Sequence, residues 1–117
     1  MLTIVASKMT AAALVACFTV LVPRVSIGAL LAHPETYDGQ NVAILGTVEN
    51  ARLATSPGGS DYEVFKLCDK VCVSVFTRGH PLLSEGQKKS IRGTFVWVKH
   101  VGAATVHNEV EADRDSL

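Results

Sequence analysis

The chain has 117 residues, a formal net charge of zero, and 48% hydrophobic and 19% charged residues. This length gives room for a single domain. From Ser26 onward nine Lys and Arg residues stand against eleven Asp and Glu residues, a net charge of −2. This part of the chain therefore lacks the positive surplus with which a dedicated duplex-DNA binder displaces counterions.

The N-terminal segment is apolar and almost uncharged. Residues 1–23 carry one charged side chain, Lys8, and the run MTAAALVACFTVLV that follows it carries none. This run is shorter than the roughly 20 apolar residues of a spanning helix and is typical of the core of an export signal. We therefore expect residues 1–25 to be a signal peptide or an uncleaved membrane anchor. The predicted location is extracytoplasmic, in the periplasm or the cell envelope.

Two details of this segment stay open. Translation could begin at Met1 or at Met9. The sequence LVAC, which ends at Cys17, resembles a lipobox, in which the cysteine is lipidated. The apolar run continues beyond Cys17, however, where a lipoprotein would have a polar tether.

A short amphipathic helix is predicted next, over residues 27–32. Ser26 is a natural N-cap, and Pro34 followed by the turn sequence YDG ends the helical pattern. The apolar stripe of this helix has the spacing i, i+3, i+4 and consists of Ile27, Leu30 and Leu31.

The rest of the chain alternates with the period of β-strands. Gly46 in LGTV and Gly93 in RGTF interrupt the first and fourth strands in similar settings, and glycine within a strand commonly marks a bulge or a bend. Two long bent strands suit a small closed barrel. The fold class is thus predicted as mainly β, a five-stranded OB-like barrel preceded by the short helix, with a five-stranded sheet packed on the helix as the alternative. The predicted strands cover residues 41–51, 62–68, 71–76, 89–99 and 105–112, which places a domain at 26–112 and a disordered tail at 113–117.

Several stretches resemble small bacterial exported OB-fold proteins of the tRNA-anticodon-binding-like type. They are LLAHPETYDGQNVAILGTV, YEVFKLCD, CVSVF, GQKKSIRGTF and VHNEVEA, and together they span about residues 27–112. The resemblance implies a fold more firmly than an activity, because OB barrels bind nucleic acids, oligosaccharides and proteins. Exported OB-fold haem chaperones carry a His-x-x-x-Tyr motif, whereas His107 lacks the tyrosine, so no haem or other cofactor is expected.

The sequence FKLCDKVCVSVF holds two of the three cysteines. If residues 69–71 form a three-residue hairpin loop, Cys68 and Cys72 face each other directly on the side opposite the core. We predict a structural disulfide between them, with two free thiols, a metal site or a redox site as alternatives. Zinc needs about four ligands, and no second cysteine or histidine pair is evident. No metal site is therefore assigned.

The same register predicts a ligand surface. Tyr62, Lys66, Phe76 and Arg78 fall on the outer face of strands two and three, where aromatic and basic side chains suit stacking of bases and contacts with phosphates. A basic track along strand four would extend this surface (Lys88, Lys89, Arg92 and Lys99). The alternative is that the aromatic rings are covered by the helix or by a partner chain and that the lysines are ordinary solvated residues.

No catalytic constellation is evident, so the chain is predicted not to be an enzyme. Trp97 alternates with Ile91 and Phe95 and is expected in the core. The acidic residues Glu109, Glu111 and Asp113 are interpreted as the solvent face of the last strand. The four histidines are interpreted as solvated surface residues (His33, His80, His100 and His107). The sequence thus predicts a binding module for single-stranded nucleic acid or another oligomeric ligand, or alternatively a protein-interaction module of the cell envelope.

Overall fold

The computed structural model describes residues 22–78, 83–113 and 117, and its architecture is mainly β. Helix α1 spans Ile27–Ala32 and helix α2 spans Pro34–Tyr37. The five strands are β1 (Asn41–Thr55), β2 (Asp61–Cys68), β3 (Cys72–Arg78), β4 (Lys88–Val101) and β5 (Ala104–Ala112).

The predicted export segment lies outside the described residues as far as residue 21, and residues 114–116 of the predicted tail lie outside them too. Within the described ranges, no helix is both long enough and apolar enough to cross a membrane.

Helix α1 confirms the prediction from the sequence. The Ser26 hydroxyl accepts a hydrogen bond from the Ala29 N–H at 3.0 Å, and Ile27 and Leu30 are buried against the sheet. The helix ends before Pro34 as predicted, and Pro34 also begins the short helix α2, which the sequence did not indicate. Proline is favoured in the first turn of a helix, since its missing N–H would have no intrahelical partner there.

The five strands form a sheet that closes in a ring, in the order β1-β2-β3-β5-β4. The first half of β1 pairs with β4, and its second half pairs with β2. Likewise β4 pairs first with β1 and then with β5. A short parallel contact between β3 and β5, over residues 74–76 and 109–111, completes the ring.

Gly46 and Gly93 lie where the two long strands change partners. A Cβ atom at Gly46 would lie 2.8 Å from the Cys68 carbonyl oxygen, and one at Gly93 would lie 2.8 Å from the Ala112 Cα atom. Both positions require glycine because neighbouring backbone approaches too closely for a side chain. The prediction that these glycines lie in long strands shared by two neighbours is confirmed.

The core fills the ring with alternate residues of every strand. The alternate residues Val42, Ile44 and Val48 of β1 are buried, and so are Ile91 and Phe95 of β4. Their partners from the rest of the ring and from α1 are Ile27, Leu30, Phe65, Leu67, Val73, Val75 and Val110.

Two sequence predictions about the strands were wrong. Trp97 is not in the core, because its side chain lies on the part of β4 that extends beyond the ring and the residue is 40% exposed. Residues 52–55, which lie beyond the predicted end of the first strand at residue 51, continue β1 and pair with β2. The pairing register shifts between Glu49 and Arg52, where Asn50 has a positive φ of 55°. Such a bulge inserts one extra residue and hides the continuation of the strand from a strict alternation pattern.

Candidate functional site on the outer face of β2 and β3

The β2–β3 hairpin has the register that the sequence predicts. The facing pairs run from Tyr62 opposite Arg78 to Cys68 opposite Cys72, with Val64 opposite Phe76 between them. Alternate residues point away from the core, and we call this surface the outer face. It consists of Tyr62, Val64, Lys66 and Cys68 of β2 and Cys72, Ser74, Phe76 and Arg78 of β3.

Two aromatic rings form the centre of the outer face. The ring centroids of Tyr62 and Phe76 are 5.3 Å apart, and their planes are inclined by 32°. The guanidinium carbon of Arg78 lies 5.5 Å from the Phe76 ring centroid. Both rings are partly exposed, and neither α1 nor α2 covers them completely. Three of the four predicted site residues therefore come together as an aromatic pair with an adjoining cation.

Lys66, the fourth predicted site residue, lies further along the same face. Its Nζ atom donates a hydrogen bond to Ser74 Oγ at 2.7 Å. It is four cross-strand pairs away from Arg78, which corresponds to about 13 Å along the strands. Neither Lys66 nor Arg78 forms an ion pair with a described carboxylate. Both charges are thus available to an anionic ligand.

The predicted basic track along β4 is only partly present. Lys89 and Arg92 lie on the half of β4 that pairs with β1. Lys88, which pairs with Thr47, lines the same cavity as Cys68 at the disulfide end of the outer face. Lys99, on the half that pairs with β5, is the member that reaches the aromatic rings: its Nζ atom is 4.7 Å from the Phe76 ring centroid. Because β4 changes partners from β1 to β5 along its length, its four cations do not form one continuous track.

Lys99 is held in place by two carboxylates of β5. Its Nζ atom is 2.7 Å from Glu109 Oε1 and 3.3 Å from Glu111 Oε2. Burial lowers the pKa of Lys99, but the hydrogen bond and charge of Glu109 and the charge of Glu111 outweigh that effect, so its pKa lies above the ordinary value of 10.5. Glu109 is buried, which corrects the interpretation of the β5 acids as a simple solvent face. In the β4–β5 register Lys99 faces Val106, so its side chain reaches Glu109 and Glu111 along β5 rather than directly across the hairpin.

The Cys68–Cys72 disulfide is present at the far end of the outer face, with the Cα atoms 4.0 Å apart. The predicted pairing of the two cysteines is confirmed in the structure. Cys68 is buried, whereas Cys72 is exposed. The bond closes the turn of the β2–β3 hairpin. The aromatic pair lies on the same hairpin, towards its opposite end.

A buried carboxylate was missed by the sequence analysis. Glu63 is fully buried on the core face of β2, directly opposite the buried Thr77 of β3. Its Oε2 atom accepts a hydrogen bond from the Leu83 N–H at 2.7 Å, while Glu63 Oε1 and Thr77 Oγ1 have no partner among the described residues. The burial of Glu63 could have been predicted from the alternation of β2, because Glu63 is two residues before Phe65 and therefore lies on the same inward face as Phe65 and Leu67. Glu63 anchors the connection between β3 and β4 to the ring.

The three described histidines do not contribute to the outer face. His33, His100 and His107 are exposed and lie on separate elements, and His80 is outside the described residues. The one group of potential metal-ligating side chains found among the described residues combines Glu49 with the two cysteines.

The chain matches no protein-family model and no curated protein sequence.

Proposed function

We propose that the chain is an OB-type domain that acts as a binding module rather than an enzyme, with the outer face as its ligand surface. The observation that carries this proposal is the Tyr62–Phe76 pair flanked by the cation of Arg78. The ring order β1-β2-β3-β5-β4 and the two shared, bent strands support an OB-like barrel. In OB folds the face of strands two and three binds oligonucleotides and oligosaccharides.

The ligand class that fits the outer face best is single-stranded nucleic acid. Stacking of a base on an aromatic side chain contributes about 1–3 kcal/mol, so the two rings supply about 2–6 kcal/mol. Taken alone, this range corresponds to dissociation constants from tens of millimolar to tens of micromolar. Each domain therefore binds weakly, in keeping with the near-neutral charge of the chain.

The acidic residues of β5 favour one orientation of a bound nucleic-acid strand on the outer face. Glu109 and Glu111 repel phosphates, while Lys66 and Arg78 lie towards β2 and β3 without carboxylate partners in the described ranges. A bound strand would place its bases on the aromatic pair and its phosphates on the side of Lys66 and Arg78.

The test is fluorescence anisotropy of the full chain with a labelled oligothymidylate. With phosphate contacts at Lys66 and Arg78 alone, the logarithm of the association constant is expected to fall with the logarithm of the salt concentration with a slope of about −1.4. Phe76→Leu keeps an apolar side chain but removes the ring, and it is expected to weaken binding at least about fivefold. Arg78→Ala should weaken binding and reduce the steepness of the salt dependence by about half.

Lys70→Ala is the matched control, because it removes an exposed cation from the β2–β3 turn rather than from the outer face. It should leave affinity and salt slope nearly unchanged. Equal effects of Arg78→Ala and Lys70→Ala would show that the oligonucleotide senses only the overall charge, and the ligand surface would then be wrongly placed.

We further propose that the domain is exported to the periplasm or the cell envelope. The support is the disulfide, which persists in oxidising compartments, together with the uncharged run before Pro23. Non-reducing mass spectrometry of protein taken from cells would reveal the N-terminus, any lipid on Cys17 and the state of Cys68 and Cys72. Two free thiols in envelope-derived protein would contradict the disulfide and remove its support for export.

A protein-interaction module of the cell envelope is the second candidate function. It is favoured by exposed apolar side chains on the β4–β5 hairpin and on the end of β1, namely Leu53, Trp97, Val98 and Val101. Single exposed apolar residues are common, but several together are typical of contact surfaces. This function predicts a protein partner that is retained at high salt and lost on Trp97→Ala, whereas oligonucleotide binding would be lost at high salt.

A further inference from the structure

Glu49 lies beside the disulfide at the end of the outer face. Its carboxylate oxygen and the sulfur atoms of Cys68 and Cys72 all lie within 4.8 Å of one another. The sheet register produces this arrangement: Thr47 pairs with Cys68, so Glu49, two residues further along β1, projects from the same face. The three potential ligands therefore come from three adjacent strands.

From these positions we propose that reduction of the Cys68–Cys72 disulfide creates a binding site for a thiophilic divalent metal ion, with Zn²⁺ as the best-fitting one. This inference does not depend on the proposed ligand surface. In the oxidised state the two sulfurs are bonded to each other and offer no thiolate. The cysteine spacing alone supplies two ligands, and Glu49 adds the third ligand, which no motif in the sequence indicates.

The chemistry requires a dithiol reductant. The dithiol transfers two electrons to the disulfide and becomes a disulfide itself, and its two protons pass to the sulfurs of Cys68 and Cys72. Zn²⁺ then displaces these two protons, because thiolates and not thiols bind the metal. Two thiolates, the Glu49 carboxylate and one water complete a tetrahedral set.

The fold keeps the ligands together after reduction. Cys68 and Cys72 form the facing pair nearest the β2–β3 turn, with their Cα atoms 4.0 Å apart. The six other pairs of the ladder hold the two strands together without the disulfide. Tetrahedral zinc with bond lengths of about 2.0–2.3 Å needs donor atoms about 3.4–3.8 Å apart, which small side-chain movements provide.

Access to the site is open on one side. Cys72 and Glu49 are exposed, so both a reductant and a hydrated ion reach the site, while the buried Cys68 fixes one ligand. Two thiolates and one carboxylate within 4.8 Å repel each other, and a divalent cation removes most of that repulsion. Lys66 is the direct cross-strand partner of Glu49 but directs its Nζ atom to Ser74.

The experiment reduces the full chain with dithiothreitol, removes the reductant by desalting under argon, and titrates Zn²⁺ against a chromophoric chelator. Co²⁺ serves as a spectroscopic probe, because thiolate ligation produces a near-ultraviolet charge-transfer band. We expect one Zn²⁺ per reduced chain and no comparable binding by the oxidised chain or by the Cys68→Ser/Cys72→Ser variant. Glu49→Gln should weaken Zn²⁺ binding at least about tenfold.

Asp69→Asn is the matched control, because Asp69 is an exposed acidic residue next to Cys68 that is not part of the three-ligand group. It should leave the affinity for Zn²⁺ unchanged. If the reduced wild type binds Zn²⁺ no more tightly than the double serine variant, there is no site. If Glu49→Gln binds as tightly as the wild type, Glu49 is not a ligand and the proposed three-ligand site is wrong.

Circular dichroism of the reduced chain tests whether reduction of the disulfide unfolds the sheet. If reduction unfolds the sheet, Zn²⁺ binding must restore it, since metal-binding free energy then contributes to folding. Failure of Zn²⁺ to restore the β-sheet spectrum would equally overturn the proposal.

Discussion

Replacement of Lys99 by methionine tests how the charge cluster beside the aromatic pair contributes to stability. Lys99→Met keeps most of the aliphatic side chain but removes the ammonium group. The Glu109 carboxylate, whose side chain is 9% exposed, then loses its partner at 2.7 Å, and the Phe76 ring loses the cation at 4.7 Å. The variant thus leaves a nearly buried charge without compensation.

The expected cost lies between those of surface and buried ion pairs. Breaking a fully buried pair costs about 3–5 kcal/mol, whereas exposed pairs contribute about 0–1 kcal/mol. The Lys99 side chain is 24% exposed, so water screens the interaction in part. The lost cation–π contact adds about 0.5–1 kcal/mol. We expect Lys99→Met to lower the free energy of unfolding by about 2 kcal/mol in total.

Urea unfolding followed by far-ultraviolet circular dichroism measures this difference. In a double-mutant cycle, Lys99→Met combined with Glu109→Gln should show a coupling of about 1–2 kcal/mol, because the neutral amide that replaces the carboxylate no longer needs a cation. Glu111→Gln is the comparison variant and should cost less than about 1 kcal/mol, since the Glu111 side chain is 40% exposed and its oxygen is 3.3 Å from Lys99. A coupling near zero would refute the reasoning.

The raised pKa of Lys99 predicts how the difference in free energy of unfolding between the wild type and Lys99→Met changes with pH. Because the folded-state pKa of Lys99 lies above 10.5, the unfolded chain loses this proton first as the pH rises. The stabilisation is therefore fully present below pH 10.5 and is lost as the pH rises through the folded-state pKa. The difference in stability between the wild type and Lys99→Met should be constant near neutral pH and should narrow in that alkaline range.

Three further predictions concern the framework of the fold. Gly93→Ala should lower the free energy of unfolding by about 3 kcal/mol or more, because its Cβ would meet the Ala112 backbone. Gly28→Ala is the control: no atom lies within 4 Å of the added Cβ, so this variant should be neutral or stabilising by up to about 1 kcal/mol. Cys72→Ser should cost about 2 kcal/mol in urea unfolding under oxidising conditions, and under reducing conditions the wild type should lose the same amount. Ser26→Ala should cost about 1 kcal/mol through loss of the α1 cap, measured by thermal unfolding, and an unchanged midpoint would show that the cap contributes nothing.

The hairpin register could be read from the sequence because two constraints coincide there. The short turn between Cys68 and Cys72 allows few registers, and the alternation of Phe65, Leu67, Val73 and Val75 selects the one with a common core face. The burial of Glu63 followed from the same alternation, yet a carboxylate is not expected in a core unless its partner is known. That partner, the Leu83 N–H, lies 20 residues away, in a connection whose path no periodicity describes.

Trp97 and Lys99 show where alternation fails. Both follow the buried Phe95 on β4, and parity alone would place Trp97 in the core. At this point β4 has left β1 and pairs only with β5, and Asn108 on the facing strand has a positive φ of 54°. No core lies beneath this two-stranded extension, so the side chains take positions set by its twist. The pairing of Lys99 with Glu109 and Glu111 depends on this twist and was invisible in the sequence.

Two acidic regions border the outer face and affect which ligands it can bind: Glu49 beside the disulfide, and Glu109 with Glu111 on β5. The disulfide and Glu49 lie at one end of the β2–β3 ladder, and the Tyr62–Arg78 pair lies at the other. The acidic border of Glu109 and Glu111 runs along β5. Lys66 faces Glu49 across β1 and β2, and Phe76 lies beside Glu111 of β5, so an anionic strand that crosses β2 and β3 passes between two acidic regions. A neutral stacking ligand would not share this restriction, because it has no charge for the carboxylates to repel. Glu111→Gln should therefore strengthen oligothymidylate binding at low salt while leaving the binding of an uncharged ligand unchanged.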